Sequence, residues 1–189
     1  MKISANDMRP GNVLEHKDRL WQVVKTEHVK PGKGPAYQQV ELKDLVDGTK
    51  LNERFRAVET VERVRLDEKE YQYLYEEGPQ LNLMDQENFE QIAIDKGMIG
   101  DSLPFLQEGM TITVHSYDGR PLMARLPDTA VLEVVEADPV VKGQTAAASY
   151  KPAILDNGVR IMVPPHIETG TRVVVSIADQ TYVERAKGG

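Results

Sequence analysis

Lys30-Pro31-Gly32-Lys33-Gly34-Pro35-Ala36 separates two runs that read as strands, residues 20–28 and 37–42. Val23 and Val24 on one side, and Val40 and Leu42 on the other, supply the β-branched and apolar side chains that strands favour. Pro31 fixes one backbone angle, and Gly32 and Gly34 permit positive φ, so the segment predicts a tight hairpin tip. Lys33 lies between two residues with no side chain, which leaves its ammonium without a local shield. Taken by itself the loop also fits a solvated turn whose lysines serve solubility.

The same signals recur outward from this hairpin, and the chain reads as all-β. Residues 12–15, 20–28, 37–42, 50–56 and 62–66 form short strand candidates, with the turn Arg9-Pro10-Gly11 before them and Asp47-Gly48 as a two-residue hairpin signal. Five short strands within residues 1–64 predict a small barrel or roll. A second unit, residues 65–127, opens with Tyr71, Tyr73 and Tyr75, whose period of two predicts three rings on one face of a strand. Residues 81–84 read as a strand and 88–93 as a short helical turn. Residues 110–117 and 121–125 pair across Asp118-Gly119. In the third unit, residues 128–189, the strand candidates are 129–136, 153–155, 159–163, 172–177 and 181–185. Asp156-Asn157-Gly158 is a turn there, and residues 138–148 are a loop. Both later units are expected to be five-stranded barrels of the oligonucleotide-binding (OB) type.

Composition narrows the class. The 189 residues hold 40% hydrophobic and 28% charged side chains, the balance of a globular rather than a disordered protein. Cysteine is absent, so there is neither a disulfide framework nor a thiolate metal site, which suits a reducing cytoplasm. No run approaches the roughly 20 apolar residues of a membrane-spanning helix, and the first residues lack the apolar stretch of a signal peptide. These features predict a soluble cytoplasmic protein. The net charge of −7 argues against a general nucleic-acid binder. Its distribution is uneven. Residues 1–64 carry 12 Lys/Arg against 10 Asp/Glu, while residues 65–127 carry 5 against 12, so the segment with the Lys33 loop is the positive one.

Catalytic and metal patterns are missing. His16, His28, His115 and His166 are isolated, with no second His or carboxylate at metal-ligand spacing. There is no nucleophile elbow, no dinucleotide fingerprint and no phosphate-binding loop around Lys33. The pairs Asp67-Glu68 and Glu76-Glu77 point to opposite faces of a strand and read as surface. The tyrosines could stack on bases, but Glu68, Glu70, Glu76 and Glu77 around them repel phosphate. No metal, no cofactor and no enzyme activity is expected.

Two stretches together carry a resemblance. The first is Lys30-Pro31-Gly32-Lys33-Gly34. The second runs Lys151, Ala153, Gly158, Ile161, Val163-Pro164, Ile167, Gly170, and is similar to the C-terminal signature of bacterial translation elongation factor P at every position. Arg9-Pro10-Gly11, Tyr73-Leu74-Tyr75, Met84-Asp85 and Tyr182-Val183-x-Arg185 extend the likeness over the whole chain.

The resemblance implies three small barrels in an L-shaped arrangement like a transfer RNA, a KOW/SH3-like one followed by two OB folds. It implies a monomeric factor that binds the 70S ribosome and its RNA between the peptidyl and exit sites. That factor stimulates peptide-bond formation at consecutive prolines. The tip Lys30, Pro31, Gly32, Lys33 and Gly34 would meet the peptidyl transfer RNA. Lys33 would be the lysine that a modifying enzyme extends in many members, and that is hypusine in eukaryotic and archaeal relatives. Gly143, Gln144, Thr145 and Ala146 would face messenger RNA in the exit site, and Tyr182 and Arg185 would face the ribosome. Four positions depart from the family pattern: Pro35 follows Gly34, Gln144 replaces an Asp, and Pro165-His166 replaces an apolar pair. A paralogue with a narrower role and a single-stranded nucleic-acid-binding OB protein are the alternatives.

Overall fold

The computed structural model describes residues 1–139 and 149–188. Apart from three short 3-10 turns, its elements are strands, and each of its three sheets curls into a barrel-like form. The first sheet contains β1 (Lys2–Ser4), β2 (Val13–His16), β3 (Arg19–Val29), β4 (Tyr37–Asp44), β5 (Lys50–Arg56) and β6 (Thr60–Val64), ordered β1-β6-β2-β3-β4-β5. The second contains β7 (Asp67–Glu77), β8 (Gln80–Asp85), β9 (Gln91–Asp95), β10 (Thr111–Tyr117) and β11 (Arg120–Arg125), ordered β11-β10-β7-β8-β9. The third contains β12 (Thr129–Ala137), β13 (Lys151–Leu155), β14 (Arg160–Val163), β15 (Arg172–Ser176) and β16 (Thr181–Arg185), ordered β14-β13-β12-β15-β16. By compactness the chain divides into two units, Met1–Glu68 with Val114–Met123, and Lys69–Thr113 with Ala124–Gly189. Among the described residues no helix is long and apolar enough to cross a membrane.

Alternation explains the strands. Along β4, Gln38, Val40, Leu42 and Asp44 turn inward while the residues between them stay partly or fully exposed. Along β12, Ala130, Leu132 and Val134 do the same. A period of two places one row of side chains in the core and the other in water. The first core gathers Ala5, Met8, Leu14, Trp21, Val23, Val40, Leu42, Phe55 and Val61. Trp21 is the single tryptophan of the chain; it is buried there, with its indole N–H donating to the His16 carbonyl at 2.8 Å. Each large apolar side chain so covered contributes about 1.5–3 kcal/mol.

Four sequence expectations need correction. Residues 88–93 are not a helical turn: they end a hairpin turn and start β9, whose Gln91 pairs with Met84. The three tyrosines do not share one environment, because a bulge shifts β7 between Tyr73 and Tyr75; Tyr71 is buried and Tyr75 is exposed. Asp47-Gly48 does not form a two-residue loop. It ends a longer turn in which Gly48 N–H donates to the Asp44 carbonyl at 3.1 Å. A sixth strand, β1, joins the first sheet by pairing with β6, Lys2 opposite Glu62. Pro165-His166 finds an account here. Ile167 N–H donates to the Pro164 carbonyl at 3.1 Å, so Pro165 stands at the turn position that favours its fixed φ.

Candidate functional site

The hairpin of β3 and β4 projects Lys33. Its last strand pair is Val29 with Tyr37, so residues 30–36 form the loop. Lys30, Gly32, Lys33, Gly34 and Pro35 are exposed, and Pro31 and Ala36 are half-buried. Among the described residues Lys33 has no ion-pair partner. The two glycines differ. Gly34 has φ +104, a conformation other residues avoid, whereas Gly32 does not have positive φ, contrary to the sequence expectation. A side-chain carbon added at Gly32 would also meet nothing within 4 Å. Neither backbone conformation nor packing within the chain therefore calls for glycine at position 32.

The root of the loop is braced. Gln38, buried on β4, donates through Nε2 to Asn6 Oδ1 at 2.9 Å and lies 3.0 Å from His28 Nδ1. Ala57 N–H donates to the Ala36 carbonyl at 3.0 Å. On the outer face of β5, Arg54 and Arg56 stand opposite Gln39 and Tyr37, and the Arg54 guanidinium covers the Tyr37 ring at 4.2 Å. Cations thus stand at the tip of the hairpin and, on the neighbouring strand β5, beside its root. Sequence reasoning missed Tyr37, Arg54 and Arg56, since their company depends on the β4–β5 register; two arginines flanking the inward Phe55 were the available signal.

The other expected positions lie elsewhere. Tyr182 is half-buried and Arg185 exposed on β16, in the second unit. The Tyr182 ring meets Tyr150 edge-on at 6.4 Å, and burial pushes its hydroxyl above the usual tyrosine range. Gly143, Gln144, Thr145 and Ala146 fall outside the described residues. No cluster of three or more His, Asp or Glu that could hold a metal occurs among the described residues.

Comparisons with known proteins identify the class. Residues 4–61 match the profile of the elongation factor P KOW-like domain, residues 66–124 that of its OB domain, and residues 130–185 that of its C-terminal domain. The structure resembles eukaryotic translation initiation factor 5A from Methanococcus jannaschii, with a TM-score of 0.54 at 20% identity over 67% of this chain and 95% of that one. That likeness concerns the fold. The protein is thus a translation factor built from KOW-like and OB barrels. It is 59% identical over 186 residues to elongation factor P of Brucella canis and 60% identical to that of Parvibaculum lavamentivorans, in each case over 98% of this chain and all of the relative. The chain belongs to the elongation factor P family.

Proposed function

We propose that this factor binds the ribosome between the peptidyl and exit sites and speeds peptide-bond formation at consecutive prolines, with Lys33 set against the acceptor end of the peptidyl transfer RNA. The observation that carries this reading is the tip itself. Among the described residues the exposed Lys33 ammonium has no ion-pair partner, and it stands beside Gly32, where neither φ nor packing calls for a glycine. A glycine without an internal reason suits close approach by an external backbone.

The chemistry follows from proline. Its ring locks φ and restrains the peptide it has joined, so successive prolines displace the reacting groups. Rates fall steeply with small errors of position. A factor that orders the transfer RNA end restores the rate without supplying an acid, base or nucleophile, so this one acts in the cytoplasm as a positioning element rather than an enzyme. Lys33 acts as a cationic hydrogen-bonding strut on phosphate or sugar, and a modifying enzyme that lengthens its arm extends its reach. Arg54 and Arg56 meet the RNA backbone nearer the root. Gly143, Gln144, Thr145 and Ala146 face messenger RNA in the exit site, and Tyr182 and Arg185 face the ribosome.

Gly32→Ala tests the close approach. The variant keeps the wild-type melting temperature, because the added carbon meets nothing within 4 Å, and it loses most of the stimulation of proline-peptide synthesis on purified ribosomes. Full stimulation by a folded Gly32→Ala protein contradicts the reading.

A further inference from the structure

The chain builds one turn twice. Between β4 and β5, Asp44 Oδ1 accepts the amides of Val46 at 2.7 Å and Asp47 at 3.0 Å. The Asp44 carbonyl accepts from Gly48 N–H at 3.1 Å, its amide donates to the Thr49 carbonyl at 2.8 Å, and Asp47 Oδ1 accepts from Thr49 N–H at 2.9 Å. Between β8 and β9 every bond recurs. Asp85 Oδ1 accepts the amides of Glu87 at 2.8 Å and Asn88 at 3.4 Å. The Asp85 carbonyl accepts from Phe89 N–H at 2.9 Å, its amide donates to the Glu90 carbonyl at 2.8 Å, and Asn88 Oδ1 accepts from Glu90 N–H at 2.9 Å. Even the supporting cation is repeated, Arg19 on Asp44 at 2.8 Å and Lys69 on Asp85 at 3.4 Å.

The two turns differ at the residue that closes them. Both closing residues are left-handed, with φ 74 at Gly48 and φ 63 at Phe89. Glycine is what such a position favours, and an aromatic side chain is among the residues it tolerates least. The second turn therefore holds a ring against the preference of its own backbone, and that ring stands largely in solvent: Phe89 is 68% exposed. A local rule broken in a turn fixed by this many hydrogen bonds, at a side chain left largely in solvent, marks a residue kept for something outside the chain.

We infer that Phe89 is the anchor of a docking site for a basic protein, its ring entering an apolar pocket of the partner while carboxylates around it meet the partner's cations. Charge selects this occupant. Glu87 and Glu90 belong to the turn, and Glu70 is held beside it through the bond from Gln86 N–H to its carbonyl at 3.4 Å. All three are exposed, and none has an ion-pair partner among the described residues. The nearby cation, Lys69, is engaged by Asp85. A nucleic-acid base stacked on Phe89 would bring its phosphates among these carboxylates, which repel them. A central aromatic anchor within a charged rim is the arrangement that protein interfaces use for affinity and orientation. Only the choice of partner rests on the preceding reading, which makes the basic proteins of the ribosome the class at hand.

Two experiments on the full chain test this. Asn tolerates left-handed backbone, so Phe89→Asn keeps the turn and melts at or above the wild-type temperature. Its Kd for purified ribosomes, measured by sedimentation at fixed salt, is expected to rise tenfold or more. An unchanged Kd for a folded Phe89→Asn overturns the inference alone, whereas wild-type protein that fails to sediment with ribosomes overturns the ribosomal reading as well. Separately, a photoreactive phenylalanine analogue carrying a benzophenone is placed at position 89 and irradiated on purified ribosomes. A cross-link to a basic ribosomal protein supports the site. A cross-link to ribosomal RNA, or none, overturns it.

Discussion

Asp44→Ala measures how much one buried carboxylate contributes to the first barrel. Asp44 is 3% exposed. Its side chain accepts the backbone amides of Val46 and Asp47, and Oδ2 meets the Arg19 guanidinium, which also pairs with Asp47. On a turn that water can reach, each amide bond to the carboxylate contributes about 1–1.5 kcal/mol. The pair with the half-exposed Arg19 adds only about 0.5 kcal/mol after solvent screening. The variant should therefore lose about 3 kcal/mol. With a slope of about 2 kcal/mol per molar in guanidinium for a small domain, the unfolding midpoint falls by about 1.5 M. Fluorescence of Trp21 is the assay, because the single tryptophan sits in the first core. Asp44→Asn retains the Oδ1 acceptor and should lose about half as much. A midpoint for Asp44→Ala within about 0.3 M of wild type would refute the reasoning, since on that slope the turn network would hold well under 1 kcal/mol.

Two further outcomes concern β8 of the second barrel. The amide of Glu87 most strongly, then that of Asn88 and the Lys69 ammonium, hold the Asp85 carboxyl below its ordinary value of 3.8 against the opposing effect of burial. A carboxyl depressed in the folded state stabilises above its unfolded pKa, and that stability is lost as pH falls through the lower folded value. Thermal unfolding followed by circular dichroism should thus be insensitive to this group from pH 7 down to about 5 and weaken below about 4, while Asp85→Asn melts lower at pH 7 and shows a shallower acid decline. Leu83→Ala, at a fully buried position on β8, should cost about 2–5 kcal/mol, read as an earlier far-ultraviolet transition in urea.

Much of the fold was written in local chemistry. Lys50–Arg56 and Thr181–Arg185 were delimited by the sequence pattern as they stand in the structure. Asp118 and Gly119 both take positive φ, as their two-residue hairpin requires. What local pattern missed depends on partners distant in sequence. Lys2–Ser4 is too short to show alternation and is a strand because β6 lies beside it. The bulge that separates Tyr71 from Tyr75 is fixed by the register with β8. Residues 88–93 looked helical because the turn signal there is an Asp that binds amides two and three residues on, with Phe89 where glycine belongs. The lysine of the tip was legible from its glycine neighbours, yet which glycine is conformationally required was not: Gly34 needs positive φ and Gly32 does not. Arg54 and Arg56 entered the picture only with the pairing of β5 against β4.

The central claim concerns Lys33, and one measurement addresses it most directly. The rate of synthesis of a peptide with consecutive prolines is followed on purified ribosomes with no factor, with natively produced wild-type protein, and with Lys33→Ala. The account predicts acceleration by the wild type and a rate for Lys33→Ala no faster than without factor. Acceleration by Lys33→Ala equal to that of the wild type would contradict it.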